Sequence, residues 1–233
     1  TLKVFKLKNS NIIKINLENL MKVGIISDTH GYHNELRLPP VDILFHTGDF
    51  TSSDHIELNK KETLEFLNWF SNQDAKYKIF IAGNHEFYLE ELSKRKEVFS
   101  FMKENYPGLI YLENSSVKIE GFNIYGSPYC PVYSDHAFTE HEYYLEDIFK
   151  NIEDETNILL THTPAFDTLD LTAQSWKIGS EALKRRIESI KALDYHFHGH
   201  AHYSYGVKDN GFYVAVNASN SGNKLNKPII IDI

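Results

Sequence analysis

Five short polar clusters in the sequence carry residue types that bind metal ions. Asp and Asn offer oxygen ligands and His offers an imidazole nitrogen, a mixture that suits Mn, Fe or Zn. Cys130 is the only cysteine, which excludes a thiolate-rich structural zinc site. The clusters are Asp28-Thr29-His30-Gly31, Gly48-Asp49-Phe50, Gly83-Asn84-His85-Glu86, Thr161-His162-Thr163-Pro164 and Gly199-His200-Ala201-His202.

Each cluster alone has a simpler structural interpretation. Asp28-Thr29-His30 is typical of a turn or helix cap, and Gly48-Asp49 is typical of a turn. His162 alone would be a hydrogen-bonded loop histidine. Their joint occurrence favours a metal site over these separate interpretations.

Short apolar, β-branched runs precede the clusters and predict buried strands. Because the carboxyl ends of strands in an α/β protein converge on one crevice, side chains distant in sequence become neighbours there. The sequence therefore predicts one shared site. The runs are residues 23–27, 42–47, 78–82, 157–161 and 194–198.

The remaining periodicity predicts helices and hairpins around these strands. Apolar residues three and four positions apart predict helices at 57–72 and 87–105, with a third at 179–192. Residues 117–124 and 205–216 are typical of hairpins, the second turned at Asn210-Gly211, and 228–233 of a closing strand. We expect an α/β (α+β) fold in which two mixed β-sheets are flanked by helices, a four-layer αββα sandwich.

Length and composition predict a single domain. The chain has 233 residues, of which 42% are hydrophobic, enough for one sizeable core. Residues 1–20, before Met21, lack the turn signals that flank the later strands and are interpreted as an N-terminal extension. The domain is then expected to span 21–233.

The net charge and the search for targeting signals limit the binding partners and the cellular location that we expect. The net charge is −8, which disfavours polymeric nucleic acid and anionic membranes and leaves a small phosphorylated substrate, such as a nucleotide. The sequence has neither a bilayer-length apolar run nor a secretory signal pattern, so we expect no membrane association and a cytoplasmic location. The oligomeric state is left open.

The ordered blocks D-x-H, G-D, G-N-H-[DE], H and G-H-x-H resemble those of the calcineurin-like metallophosphoesterases. The surrounding words ISDTHG, HTGDFT, IAGNHE, YGSP, GHAH and NAS are similar to the metallophosphoesterase-domain-containing (MPPED) subfamily. The resemblance covers the chain from about Met21 onwards. It implies the αββα phosphoesterase fold and a centre of two divalent ions, with manganese expected and iron, zinc or nickel as alternatives.

The resemblance also implies a role for each site residue. Asp49 bridges the ions, since a carboxylate has two oxygens and can hold both cations. His85 is not a ligand and is the expected catalytic residue, assisting the leaving group after a metal-bridging hydroxide attacks phosphorus. The first ion is bound by Asp28, His30, Asp49 and His202, and the second by Asp49, Asn84, His162 and His200.

Charge counting favours an amide at Asn84. Two divalent ions bring four positive charges, and Asp28, Asp49 and a hydroxide remove three. One net positive charge remains to attract a phosphate anion. A third carboxylate would cancel it.

The resemblance favours a phosphodiesterase that acts on cyclic nucleotides or small diesters. Residues 48–54 lack the Arg that follows the G-D block in Ser/Thr protein phosphatases, which disfavours that activity. The alternatives are a phosphomonoesterase or nuclease and, in another class, a non-catalytic, metal-dependent nucleotide-binding regulatory protein.

Several other residues have open interpretations. Glu86 either orients His85 or is a helix N-terminal acid. His46 and His198 are expected to be hydrogen-bonded core histidines. Motifs 126–128 and 217–219 either line the substrate pocket or serve as turns and strand ends. The aromatic pairs Trp69/Phe70 and Tyr143/Tyr144 are expected in core or loop packing.

Overall fold

The strands form where β-branched and aromatic residues accumulate, and most lie close to the predicted positions. The computed structural model describes residues 20–220 and 225–233; the predicted extension, apart from Leu20, lies outside the described residues. In chain order the strands are β1 Lys22–Ile26, β2 Val41–Thr47, β3 Ala75–Ile81, β4 Ile110–Tyr111, β5 Ser115–Ile119, β6 Phe122–Ser127, β7 Cys130–Pro131, β8 Thr139–Glu140, β9 Ile158–Thr161, β10 Tyr195–His198, β11 Gly206–Asp209, β12 Val214–Asn217 and β13 Ile229–Asp232.

Five α-helices lie within the described ranges 20–220 and 225–233. None of these helices is both long and apolar enough to cross a membrane. They are α1 Ile56–Ser71, α2 Phe87–Lys94, α3 Val98–Asn105, α4 Glu142–Phe149 and α5 Glu181–Ser189.

The strands assemble into two large mixed sheets and one small one. The five-stranded sheet has the order β13-β1-β2-β3-β4, and the six-stranded sheet has the order β11-β12-β10-β9-β6-β5. Each large sheet has a parallel centre and antiparallel pairing at one or both edges. β7 and β8 pair separately.

The two large sheets pack face to face. Their shared core contains Ile25 and Phe45 from the first sheet and Leu160 and Phe197 from the second, all buried. Burial of such side chains contributes about 1.5–3 kcal/mol each. This apolar layer fixes the relative position of the sheets, and therefore of the loops at their ends.

Helices cover both outer faces. Phe66 of α1 and Leu89 of α2 pack on the five-stranded sheet, and Leu145 of α4 and Leu183 of α5 pack on the six-stranded sheet. The predicted αββα sandwich of two mixed sheets is confirmed. Both predicted hairpins are also present, as the antiparallel pairs β5–β6 and β11–β12.

The prediction of a single helix at 87–105 is wrong, because the chain forms α2 and α3 with a break between them. Lys96 has a left-handed φ of 61°. The N–H of Glu97 donates to the carbonyl of Leu92, and that of Lys96 to Ser93, which is the Schellman ending of a helix. Apolar residues keep helical spacing on both sides of this break, so the sequence pattern does not reveal it.

The prediction of core or loop packing is wrong for the pair Tyr143/Tyr144. Both tyrosines lie exposed on α4, a helix that the sequence analysis missed, because Leu145 and Phe149 supply its buried face. The other pair follows the prediction, since Phe70 is buried and Trp69 packs against the same core.

Candidate metal centre

The predicted ligands lie in loops at one edge of the molecule. Parallel pairing within each sheet brings the carboxyl ends of neighbouring strands to the same edge. Asp28, Asp49 and Asn84 follow β1, β2 and β3, and His162 and His200 follow β9 and β10.

Polar contacts tie these loops together across the two sheets. The backbone N–H of His200 donates to both oxygens of the Asp28 carboxylate at 3.1 Å. The side-chain amide of Asn220 donates to the carbonyl of Ser27 at 2.7 Å. The site is therefore built between the sheets, and neither sheet contains it alone.

The first side-chain group consists of Asp28, His30, Asp49 and His202. One ligand atom from each lies within 4.8 Å of all the others. His202 Nε2 is 3.0 Å from Asp28 Oδ1. His30 Nδ1 is paired with the carbonyl of Thr51 at 3.0 Å, while its buried Nε2 has no hydrogen-bond partner. That orphaned nitrogen points into the group, so these residues fit a metal ion.

The second group is built around His162. Its Nδ1 lies 2.8 Å from the carbonyl of Thr47, which selects the tautomer with the proton on Nδ1 and leaves Nε2 as a ligand. His162 Nε2 is 3.1 Å from both Asn84 Oδ1 and Asp49 Oδ2. The ring of His200 lies 5.0 Å from that of His162.

Tyr133 and Cys130 border the second group, and the sequence analysis named neither as a site residue. The Asn84 Nδ2 donates to the Tyr133 hydroxyl at 3.0 Å, so the amide oxygen faces His162. The buried Cys130 Sγ has ligand nitrogens of His162 and His200 within 4.8 Å. A tyrosine forty-nine positions from Asn84 gives no local signal of this contact.

Asp49 is common to the two groups through one oxygen. Its Oδ1 accepts a hydrogen bond from the backbone N–H of His85 at 2.9 Å. Its Oδ2 lies 4.0 Å from His30 Nε2 and 3.1 Å from His162 Nε2. Oδ2 is therefore the oxygen that faces both side-chain groups, and Oδ1 is also held by the backbone of His85.

His85 lies at the edge of both groups. Its Nε2 is 4.0 Å from Asp49 Oδ2, and its Nδ1 is 3.8 Å from Asp54 Oδ1. Its ring also lies 5.0 Å from the rings of His30 and His136. From this position the imidazole can reach a molecule that is held by the two side-chain groups. No local sequence pattern indicated that His136 would lie beside His85.

The backbone of the site is strained. Left-handed φ angles are uncommon for residues other than Gly, and strain of this kind concentrates at functional sites. The left-handed backbone at these residues turns their side chains toward the centre of the site. The ligand candidates with such angles are Asp28 (53°), His30 (41°), Asp49 (58°) and His200 (65°).

Comparison with known proteins identifies the family. The model of the calcineurin-like phosphoesterases matches residues 21–204. The chain belongs to the calcineurin-like phosphoesterase family. It is consequently a metal-dependent phosphoester hydrolase, and the family implies a dinuclear centre of divalent ions that the two side-chain groups fit.

Individual relatives agree with this assignment. Metallophosphoesterase domain-containing protein 1 of Homo sapiens is 32% identical over 231 residues, covering 89% of this chain and 69% of that protein. A UPF0046 protein of Caenorhabditis elegans is 31% identical over 225 residues, covering 91% and 75%. A solved dimetal phosphatase from Danio rerio shares the fold, with a TM-score of 0.50, 11% identity, and 84% and 86% coverage.

In this phosphoesterase Glu86 holds two loops together. Its buried carboxylate accepts backbone hydrogen bonds from Asp49, Phe50, Thr51 and Gly83 at 2.5–3.0 Å. It makes no side-chain cap on α2. Glu86 stands at the N-terminus of α2, as one of the two sequence interpretations expected, and its carboxylate also fixes the loop after β2 to the loop after β3.

The buried charges of the metal-free site perturb one another. Burial would raise the pKa of Asp28, but a hydrogen bond from His202 and its charge outweigh burial and lower it. Burial would lower the pKa of His162, but Asp49 and then Asp28 outweigh burial and raise it to about 10. His200 lacks such a partner, and burial, helped by His162, lowers its pKa to about 3.

The remaining sequence predictions concern the surroundings of the site. His46 is buried and hydrogen-bonds Thr29 and the backbone of Gly48, as expected. His198 is buried and contacts the Gly199 carbonyl through Nδ1, at 3.4 Å. Asn217 donates to the carbonyls of Leu169 and Ala201, which supports the strand-end interpretation of motif 217–219.

A cavity of about 440 Å³ opens beside the two groups. Neither motif 126–128 nor motif 217–219 lines it. The site residues Asp49, Asn84, His85, His200 and His202 form one side. The cavity has the size of a small-molecule binding site and borders the candidate ligands directly.

Proposed function

We propose that this chain hydrolyses phosphodiesters, with cyclic nucleotides or other small diesters as substrates and two manganese ions in its centre. The observation that carries the proposal is the meeting of two ligand groups at Asp49 Oδ2, with His85 at their edge. The proposed first ligand set is Asp28, His30, Asp49 and His202. The proposed second set is Asp49, Asn84, His162 and His200.

The chain's own residues would bind and orient the substrate and move a proton. When bound, two divalent ions lower the pKa of water and neutralise charge on the phosphate. His85, whose Nε2 faces the centre, would donate a proton to the departing oxygen. Asp54 Oδ1, 3.8 Å from His85 Nδ1, places a negative charge on the other side of the ring.

The lining of the cavity supports a diester over a monoester. Among the described residues that line it there is no Lys or Arg. A monoester carries up to two negative charges, and a diester carries one. A site without a further cation is better matched to the single charge.

The central test compares bis-p-nitrophenyl phosphate with p-nitrophenyl phosphate on the manganese-loaded protein. We expect faster turnover of the diester. Much faster turnover of the monoester would contradict the proposal and favour a phosphomonoesterase. Nucleotide binding without turnover, with any of several metals, would favour the regulatory alternative.

Variants test the proposed roles. Asn84→Ala is expected to lose metal. His85→Ala is expected to retain metal and to lose about 10²–10⁴-fold in kcat. The loss should be greater for a cyclic nucleotide than for bis-p-nitrophenyl phosphate, because p-nitrophenolate departs without a proton. Equal losses on both substrates would exclude proton donation by His85. His141→Ala, an exposed histidine before α4, is the control.

A further inference from the structure

One side of the cavity is apolar and partly aromatic. It is formed by Pro131, Val132, Tyr133, Thr172, Trp176 and Ile178. Trp176 is 71% exposed and Tyr133 is 59% exposed, so both aromatic rings are open to solvent beside the polar centre. Exposed aromatic faces next to an anion site are suited to stack on a flat ring.

The backbone that carries Trp176 is fixed relative to the metal groups. Thr172 and Trp176 exchange hydrogen bonds across a tight turn, at 2.9 and 3.2 Å. The N–H and carbonyl of Leu171 both bond the hydroxyl of Ser204, two residues after His202. The turn is thereby attached to the loop that carries a proposed ligand, so the backbone at Trp176 is held beside that loop.

Tyr133 is attached to the opposite side of the site. Its hydroxyl accepts a hydrogen bond from the side-chain amide of Asn84 at 3.0 Å. The ring beyond that hydroxyl lines the same cavity as Trp176. Two aromatic residues, each tied to a different ligand-bearing loop, therefore border the space that leads away from the metal groups.

We propose that this wall binds a flat, uncharged aromatic ring attached to the substrate phosphate, either a nucleobase or an aryl group, and that Trp176 is the residue that selects it. The inference rests on the proposed function, because the phosphate must be held at the metal groups. The absence of Lys and Arg from the described lining disfavours a second phosphate or a carboxylate in this space. The selected group is therefore aromatic and neutral.

The test measures dissociation constants by titration calorimetry on the manganese-loaded protein, with inorganic phosphate, ribose 5-phosphate, phenyl phosphate and AMP as probes. AMP and ribose 5-phosphate share the sugar and the phosphate, so their ratio isolates the base. We expect AMP to bind about tenfold tighter, the effect of one base stacked on an aromatic side chain. Phenyl phosphate binding tighter than inorganic phosphate would identify an aryl group as sufficient, whereas a gain for AMP alone would identify the nucleobase.

Variants locate the effect. Trp176→Ala should bring AMP to the affinity of ribose 5-phosphate and leave that of inorganic phosphate within about twofold, whereas Trp176→Phe should retain the preference. Tyr143→Ala, which removes an exposed aromatic residue on α4, is the matched control and should change nothing.

Two results overturn the inference and separate it from the proposed function. If AMP and ribose 5-phosphate bind the natural protein with equal affinity, and inorganic phosphate binds in its own titration, the ring site is excluded. The proposed hydrolase function is unaffected by that result. A preference that survives Trp176→Ala removes the role of that residue. Failure of inorganic phosphate to bind, together with no turnover of any ester, would remove the proposed function and the inference together.

Discussion

At the scale of single residues, the site depends on partners that orient the candidate ligands. His162 presents Nε2 because Thr47 occupies Nδ1, and Asp49 presents Oδ2 because a backbone N–H occupies Oδ1. Asn84 presents its oxygen because Tyr133 accepts a hydrogen bond from its nitrogen. Such partners are commonly worth 10–100-fold in metal affinity.

Replacing Tyr133 by Phe tests this orientation. The variant keeps the ring and removes the acceptor, so the Asn84 amide loses its fixed direction. We expect affinity for the second metal ion to fall about tenfold, measured by metal titration calorimetry. Because the ring is retained, the AMP preference proposed above should persist. An unchanged metal affinity would show that Asn84 is oriented without the phenol.

At the scale of elements, the loops after β2 and β3 pack so closely that only glycine fits. A Cβ on Gly83 would lie 2.4 Å from Asp49 Oδ1 and 2.7 Å from His162 Nδ1. Glu86 bonds the backbone of both loops and holds this close approach in place. Local packing therefore determines where the shared carboxylate lies.

Replacing Gly83 by Ala should displace Asp49. We expect at least a tenfold loss of metal affinity, of the order found when the support of a ligand is removed. Gly108→Ala is the matched control, because a Cβ there meets nothing within 4 Å. Comparable metal affinity in the two variants would contradict the packing argument.

The break between α2 and α3 leads to a separate prediction about the free energy of unfolding. Lys96 is in the left-handed region, which costs roughly 1 kcal/mol for a residue with a Cβ. Lys96→Gly should therefore raise the free energy of unfolding by about that amount, measured with urea. Lys103→Gly, within α3, should have the opposite sign, and stabilisation by both or neither would refute the assignment of the break.

At the scale of the whole molecule, buried histidines link stability to pH. His33 packs against Phe66 and Trp69, and neither of its ring nitrogens has a hydrogen-bond partner. Burial lowers its pKa from 6.5 to about 4, although Glu62 opposes the change. Between these values the unfolded chain binds the proton and the folded chain does not, so stability is lost as pH falls from 6.5 to 4.

Replacing His33 by Leu should reduce this acid sensitivity. In metal-free protein, the difference in unfolding free energy between pH 7 and pH 4 should shrink by up to about 3 kcal/mol relative to the natural chain. Urea unfolding at both pH values provides the measurement. The exposed His141→Leu is the control, and equal pH slopes in all three proteins would show that His33 does not couple to folding.

The sequence by itself determined the chemistry of the site and the class of the fold. The strand runs, the α/β alternation and the seven candidate ligands were readable because each strand and each cluster is a local pattern. The blocks that gave the family resemblance are local in the same way. The sequence analysis missed α4 and the break at Lys96 because only a few residues carry the sequence pattern of each feature.

Only the tertiary structure decided how the groups meet. The shared oxygen of Asp49, the contact of Tyr133 with Asn84, the loop-joining role of Glu86 and the place of Trp176 depend on residues far apart in the chain. No local periodicity reports such contacts, because they arise when the two sheets pack and their strand ends are brought to one edge. Sequence thus supplied the candidate ligands, and packing of the sheets supplied their geometry.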